Sequence, residues 1–296
     1  MANLKAIRSR ISSVITTQQI TKAMKLVAAS KLKRAQDRIL QMRPYSQKLN
    51  EILSNLSANL DAGSGLVYNK KREVNNVLLV VITSDKGLCG GFNSNIIKTT
   101  RRLLAEDYAQ PYKAGNVTLL CIGKKGYDYF KKDTQLKIIT DYVSILTKLT
   151  FQNSQQISEW LMKQYAEARY DVIELVYAQF KNAATQIFTV ERFLPISTDY
   201  TQKTSRVKAD YIFEPEKQKL LEELIPKILN TQFFKALLDS NASEHGARMV
   251  AMDTATNNAN ELIRTLRIVY NRERQASITK EILEIVGGAA ALAEKS

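Results

Sequence analysis

On a seven-residue ruler, positions 7, 14, 21, 28, 35, 42, 49 and 56 hold Ile, Val, Thr, Ala, Ala, Met, Leu and Leu. The companion row at 4, 11, 18, 25, 32, 39, 46, 53 and 60 holds Leu, Ile, Gln, Lys, Leu, Ile, Ser, Leu and Leu. Thirteen of these seventeen positions are apolar, a sustained heptad that predicts a coiled-coil helix over residues 1–60. Three of the four exceptions, Gln18, Thr21 and Lys25, are neighbours in the seam. Pro44 removes a ladder hydrogen bond and predicts a kink or local break.

The other end of the chain behaves alike. Positions 255, 262, 269, 276, 283 and 290 hold Ala, Leu, Val, Ala, Leu and Ala. A companion row, Met252, Ala259 and Leu266, fails at Glu273 and resumes one residue out of phase at Thr279, Val286 and Ala293. These rows predict a second long helix within residues 210–296, beginning near "EPEKQKLLEEL" after Glu214 and Pro215, with Pro226 as another kink candidate. Two terminal helices with matching seams predict an antiparallel pair.

Residues 74–200 carry a different pattern. The segments "VNNVLLVVITSD", "NVTLLCIG", "DVIELVYAQF" and "TQIFTVERFLPI" read as strands, and "FNSNIIKTTRRLLAED", "KKGYDYFKKD" and "TFQNSQQISEWLMKQYAEARY" as helices. Such alternation predicts an open, largely parallel sheet covered by helices. The expected fold is therefore α/β, a long antiparallel coiled coil joined to a Rossmann-like domain, with the polar stretch "TDYTQKTSRVKADY" as the loop between them. At 1.5 Å per residue the two helices should reach roughly 85 and 115 Å, against a radius of gyration of about 14 Å for the middle domain. Helices of that length predict a protruding rod, either solvated or inserted into something.

Charge sharpens the picture. The first 50 residues carry eleven basic side chains against the single acid Asp37, most of the chain's formal net charge of +14. A field of that sign calls for an acidic partner: nucleic acid, anionic lipid or an acidic protein surface. Cys89 and Cys121 lie far apart with no C-x-x-C spacing, which argues against zinc and for a reducing compartment. The lone His245 has no companion for nucleophilic or metal chemistry. No run of 18 uncharged apolar residues exists, and "MANLKAIRSR" lacks a signal-peptide core.

Two stretches invite chemistry. In "ITSDKGLCGGFNSNI" a buried strand runs through Gly87, Gly90 and Gly91 into a helix, the setting in which backbone N–H groups receive phosphate. The spacing G-x-x-G-G matches neither the dinucleotide nor the P-loop pattern, and no Lys-Ser or Lys-Thr follows. The plainer reading is a tight turn that needs glycine. Near the C-terminus, residues 285–293 read Ile-Val-Gly-Gly-Ala-Ala-Ala-Leu-Ala, where each helical glycine costs about 1 kcal/mol relative to alanine. Either the helix frays there, or a narrow uncharged tip fits an apolar sleeve.

"ITKAMKLVAASKLKRAQDR", "SDKGLCGGFN" and "ARMVAMDTATNNANELIRTLRIVYNRERQASITKEILEIVGGAA", in this order along the chain, closely resemble the gamma subunit of rotary (F-type) ATP synthase in its bacterial form, over essentially the whole chain. The resemblance implies a non-catalytic central-stalk rotor, with no cofactor and no metal of its own. Its paired helices would turn inside a ring of alpha and beta subunits, and its foot would sit beside the epsilon subunit and the membrane c ring. Ion flow through the c ring would then drive ATP synthesis at the beta-subunit sites. Carried over by motif, Met24, Lys25, Lys86, Arg274, Gln275 and Thr279 are implied contacts to the alpha/beta ring, and Tyr211 and Glu214 implied contacts of the foot. The polar breaks in the seams would face the catalytic subunits, and the glycine loop would approach the lower face of a beta subunit. Lys86 stands where many members carry Arg, a point charge in place of a planar fork. The cysteine-bearing regulatory insertion of chloroplast members is absent. The implied location is peripheral, on the cytoplasmic face of the bacterial inner membrane.

Two other readings compete. A nucleic-acid-binding coiled coil would use the basic segment through counterion release, but its charges are spread around the helix and only Tyr45 precedes position 68 as an aromatic for stacking. An α/β oxidoreductase lacks both the fingerprint and a catalytic constellation.

Overall fold

The computed structural model describes residues 4–57, 68, 72–196 and 217–293. In chain order the elements are α1 (Leu4–Ser57), β1 (Val77–Ile82), α2 (Phe92–Ala105), α3 (Ala109–Lys113), β2 (Val117–Ile122), α4 (Lys124–Phe130), β3 (Lys137–Ile139), α5 (Phe151–Ala166), β4 (Val172–Phe180), β5 (Gln186–Leu194) and α6 (Lys217–Ala293), with a 3-10 turn at Ile145–Lys148 before α5. They divide into two compact units: residues 1–27 with 249–296, and residues 28–248.

The larger unit is built on a five-stranded sheet of order β3-β2-β1-β4-β5, parallel except for β5, which pairs antiparallel with β4. β1 is a continuous apolar run and β2 is broken only by the buried Thr118, because helices cover both faces and leave no solvent face to mark with polar residues. Successive side chains then alternate between two cores. Leu78, Val80 and Ile82 join Ile157, Leu161 and Tyr165 of α5 and Leu229, Phe233 and Leu237 of α6. Val77, Leu79 and Val81 join Phe92, Ile96 and Leu103 of α2 and Phe130 of α4. α5 starts at Thr150, whose side chain accepts a hydrogen bond from the Asn153 N–H, a standard N-cap.

The four strands and three helices expected from the sequence are present, whereas β3, α3 and the 3-10 turn were not expected. β3 has three residues, one of them an exposed lysine, too few to display a period. Both prolines lie inside continuous helices, so neither Pro44 nor Pro226 ends its helix.

In the smaller unit, residues 4–27 of α1 pair antiparallel with the part of α6 that follows residue 248. The side chains of Gln18 and Asn260 are hydrogen-bonded, the Thr21 and Thr256 hydroxyls lie 2.8 Å apart, and Lys25 Nζ is 2.6 Å from Asp253 Oδ1. Partner numbers fall as α1 numbers rise, which fixes the direction. Along α1 the expected heptad holds: positions 4, 7, 11, 14, 18, 21 and 25 are the buried or half-buried ones on the seam. Along α6 one expected row is corrected. Leu262, Val269 and Leu283 are exposed, and the seam runs through Met252, Thr256, Ala259, Ile263, Leu266, Tyr270, Glu273 and Ser277. The Met252–Ala259–Leu266 row therefore continues in phase through Glu273. The physical reason is that Thr256 and Ser277 are seam residues despite their hydroxyls, while the exposed row carries the apolar side chains that a hydrophobicity ruler selects.

Candidate functional site

In a sheet of this order the ligand crevice lies beyond the C-terminal ends of β1 and β4, where the chain reverses its direction of travel across the sheet. Here α6 fills that place. The Ser240 hydroxyl donates to the Ile82 carbonyl at the end of β1 (3.4 Å), and the Ser243 hydroxyl to the Ala178 carbonyl near the end of β4 (3.0 Å). A side chain at Gly246 would meet the Ala183 backbone at 3.2 Å, so the helix passes this close only because a glycine is there. A nucleotide has no room where α6 lies.

The glycine loop is turned against an anion as well. Arg248 of α6 donates from Nη2 to the carbonyls of Lys86 (2.8 Å) and Gly87 (3.2 Å). Carbonyls that converge on a guanidinium form a cation site, which the protein fills itself. Inside the loop Ser84 donates its hydroxyl to Lys86 O (2.7 Å), and Asn93 accepts from the Ser84 N–H while donating to Cys89 Sγ. Asp85 accepts the Lys124 N–H. Leu88 adopts φ 62°, a left-handed conformation costing a bulky residue roughly 1–2 kcal/mol, and its side chain remains 64% exposed. Lys86 is exposed beside it.

Arg248 sits in a buried polar cluster. Its Nη1 donates to Glu244 Oε1 (2.7 Å) and to His245 Nδ1 (3.3 Å). Because a guanidinium only donates, Nδ1 carries no proton and the imidazole is neutral. Burial, then Arg248 and Lys31, push the His245 pKa down to about 4. Burial raises the Glu244 carboxyl, against the opposing pull of Arg248. Burial alone pushes the Cys121 thiol up to about 12, which leaves it unreactive. Among the described residues no group of three or more His, Cys, Asp or Glu could hold a metal ion, and no helix is long and apolar enough to cross a membrane.

The remaining sequence-predicted residues fall in two places. Met24 is half-buried and Lys25 pairs with Asp253, so the polar trio of the α1 seam finds its partners within the helix pair, in Asn260, Thr256 and Asp253. Continuing that register places Leu4 beside Arg274. At 100° per residue, Gln275 and Thr279 lie on the side of α6 opposite the seam, and the Thr279 hydroxyl bonds back to the Gln275 carbonyl at 2.9 Å. From residue 278 to 289 every position is exposed, including Ile282, Leu283, Ile285 and Val286, and nothing lies within 4 Å of a side chain built on Gly287 or Gly288. Tyr211 and Glu214 lie outside the described residues.

Ser240, Ser243 and Arg248 were not singled out from the sequence. The signal was present as polar residues at positions where α6 is otherwise apolar, but only the sheet beneath shows what they bond.

A family model described as ATP synthase matches residues 3–292. The ATP synthase gamma chain of Cytophaga hutchinsonii is 51% identical over 294 residues, covering 99% of both chains. That of Christiangramia forsetii is 54% identical over 292 residues, again with 99% of each covered. Among solved structures, a chain from the central stalk and c ring of the Tetrahymena thermophila mitochondrial ATP synthase is 29% identical with a TM-score of 0.57, covering 80% of this chain and 99% of its own.

Proposed function

The chain belongs to the ATP synthase gamma-chain family, and from that membership we infer how it serves its complex. It is a non-catalytic rotor subunit of the central stalk. As rotor it couples ion flow through the c ring to ATP synthesis or hydrolysis at the beta subunits. α6 beyond residue 277 turns inside the alpha/beta ring, with Met24, Lys25, Arg274, Gln275 and Thr279 in contact with ring subunits, and Lys86 in its loop against a beta subunit. The region of Tyr211 and Glu214 meets epsilon and the c ring. The complex holds the chain peripherally at the cytoplasmic face of a bacterial inner membrane.

The observation that carries this reading is the exposed end of α6, with its large apolar side chains in solvent. Ile278, Ile282, Leu283, Ile285 and Val286 form one broad apolar face on this part of the helix, with Lys280, Glu281 and Glu284 on the other side; such a face gains nothing from water, and a close-fitting sleeve removes it from solvent. Driving a catalytic site from 1:99 to 99:1 takes about 5.5 kcal/mol of differential interaction, whereas exposed ion pairs contribute about 0–1 kcal/mol each. Shape must therefore carry most of the torque, and the polar contacts set the dwell positions.

Affinity purification of the chain, tagged on a surface loop of the sheet unit, from gently solubilised membranes of its own cells tests the assignment. Alpha, beta and epsilon subunits should co-purify in stoichiometric amounts, with ATPase activity that the chain alone lacks. Recovery of nucleic acid instead would move the assignment to the basic coiled-coil reading. In the assembled complex, Arg274→Ala with Gln275→Ala should leave assembly intact and ATP synthesis reduced but measurable; complete loss would refute shape as the main carrier.

A further inference from the structure

We propose that Arg248 is a positioning residue for the 85–91 loop, a latch that holds this loop to α6 in the one conformation that presents Lys86 and Leu88 outward. The inference rests on the reading above that the loop meets a neighbouring subunit. Three observations carry it. The guanidinium spans two consecutive loop carbonyls, Lys86 and Gly87, through Nη2 and, at 3.4 Å, through Nε to Gly87. It is itself fixed from behind, since its side chain and that of Glu244 are about nine-tenths buried and bonded at 2.7 Å, with His245 Nδ1 as a further acceptor. The loop also contains a conformation that does not hold itself: Leu88 and Gly90 both have positive φ, and Leu88 has no packing to offset the strain because its side chain points to solvent. A non-glycine residue in that region persists only where its surroundings over-determine it. Ser84 and Asn93 brace the loop near its ends, and Asp85 at its start is held by the Lys124 N–H and the Thr147 hydroxyl; among the described residues, the hydrogen bonds that reach Lys86 and Gly87 from another element come from Arg248. Lysine cannot substitute, because a single ammonium lacks the planar fork that serves two carbonyls and a carboxylate together.

The test is hydrogen exchange on the whole complex purified from cells carrying the variant chain, together with proton-driven ATP synthesis in inverted membrane vesicles. Arg248→Met strands a buried carboxylate, so Arg248→Met with Glu244→Gln is made beside it, and Glu244→Gln alone serves as the control that keeps both carbonyl bonds. In the double variant and in Arg248→Lys, amides 86–91 should exchange about tenfold faster or more, with β1 unchanged, and Glu244→Gln should leave the loop as it was. Unchanged exchange at 86–91 in the double variant overturns the latch. So does an equal rise in β1 and α6, which marks Arg248 as a residue of general stability. Faster loop exchange with undiminished ATP synthesis supports the latch and removes the loop from the interface proposed above, so the two inferences fail separately.

Discussion

The sheet unit and the helix pair bury their residues by different rules. In residues 28–248 whole strands are inaccessible, α6 is buried on nearly all sides between residues 225 and 246, and many of its buried polar groups are bonded within the unit, Asn230 to Ser158 and Ser240 and Ser243 to strand carbonyls. In the helix pair a single seam is shielded, three consecutive seam positions of α1 are polar, and leucines and isoleucines remain outside. The first region is finished as a folded object. The second pairs along one seam and leaves apolar side chains such as Ile20, Leu26, Leu262 and Ile268 exposed.

That contrast can be tested, beginning with the largest effect. Phe233 is fully buried against Phe193, so Phe233→Ala should cost about 3–5 kcal/mol in urea unfolding of the sheet unit. Leu266→Ala in the seam should cost no more than about 2 kcal/mol, and equal costs would erase the distinction.

Acid comes next. His245 is neutral and buried with a pKa near 4, so the unfolded chain takes up that proton first as pH falls. Its contribution is complete above the unfolded value near 6.5 and is lost between there and pH 4, at about 1.4 kcal/mol per unit. Glu244, raised by burial, works in the opposite direction, since its contribution is present at low pH and lost as pH rises. Wild type minus His245→Gln should therefore show a stability difference that shrinks on acidification from pH 6.5 to 4. A flat difference would mean that the imidazole is solvated.

Smaller effects probe the polar seam. Thr21→Val or Thr256→Val alone removes the hydroxyl pair across the seam but leaves the remaining hydroxyl on its own helix carbonyl, Met252 or Gln18, so each should cost no more than about 1 kcal/mol and the double change little more than either. Lys25 and Asp253 are 40% and 49% exposed, so Lys25→Ala should change stability by less than about 1 kcal/mol. A larger loss of ATP synthesis than of stability in that variant would support Lys25 as a ring contact.

Much of this architecture was legible in the sequence because its periods are long. Eight heptads of α1 average out single exceptions, and the strands stood out as apolar runs bounded by polar turns. One of the two α6 rows was misassigned because α6 carries apolar side chains both on its α1-facing seam and on the exposed row through Leu262, Val269 and Leu283. Nothing in a linear pattern distinguishes them. The family resemblance supplied contacts such as Arg274 and Gln275, which no periodicity suggests. Arg248 escaped because its partners are carbonyls 161 and 162 positions away, and a carbonyl has no letter in the sequence.

The antiparallel register has a consequence for biosynthesis. Leu4 and Ile7 are made before the α6 positions opposite them, which lie near residues 274 and 271 in this register. At 5–20 residues per second the α1 seam waits roughly 10–50 s for its partner. An apolar helix left alone for that time would find another of its kind on a neighbouring ribosome. Eleven positive charges and a polar interruption in mid-seam make such encounters repulsive. The basic charge of α1 would thus keep nascent chains apart before their seams close.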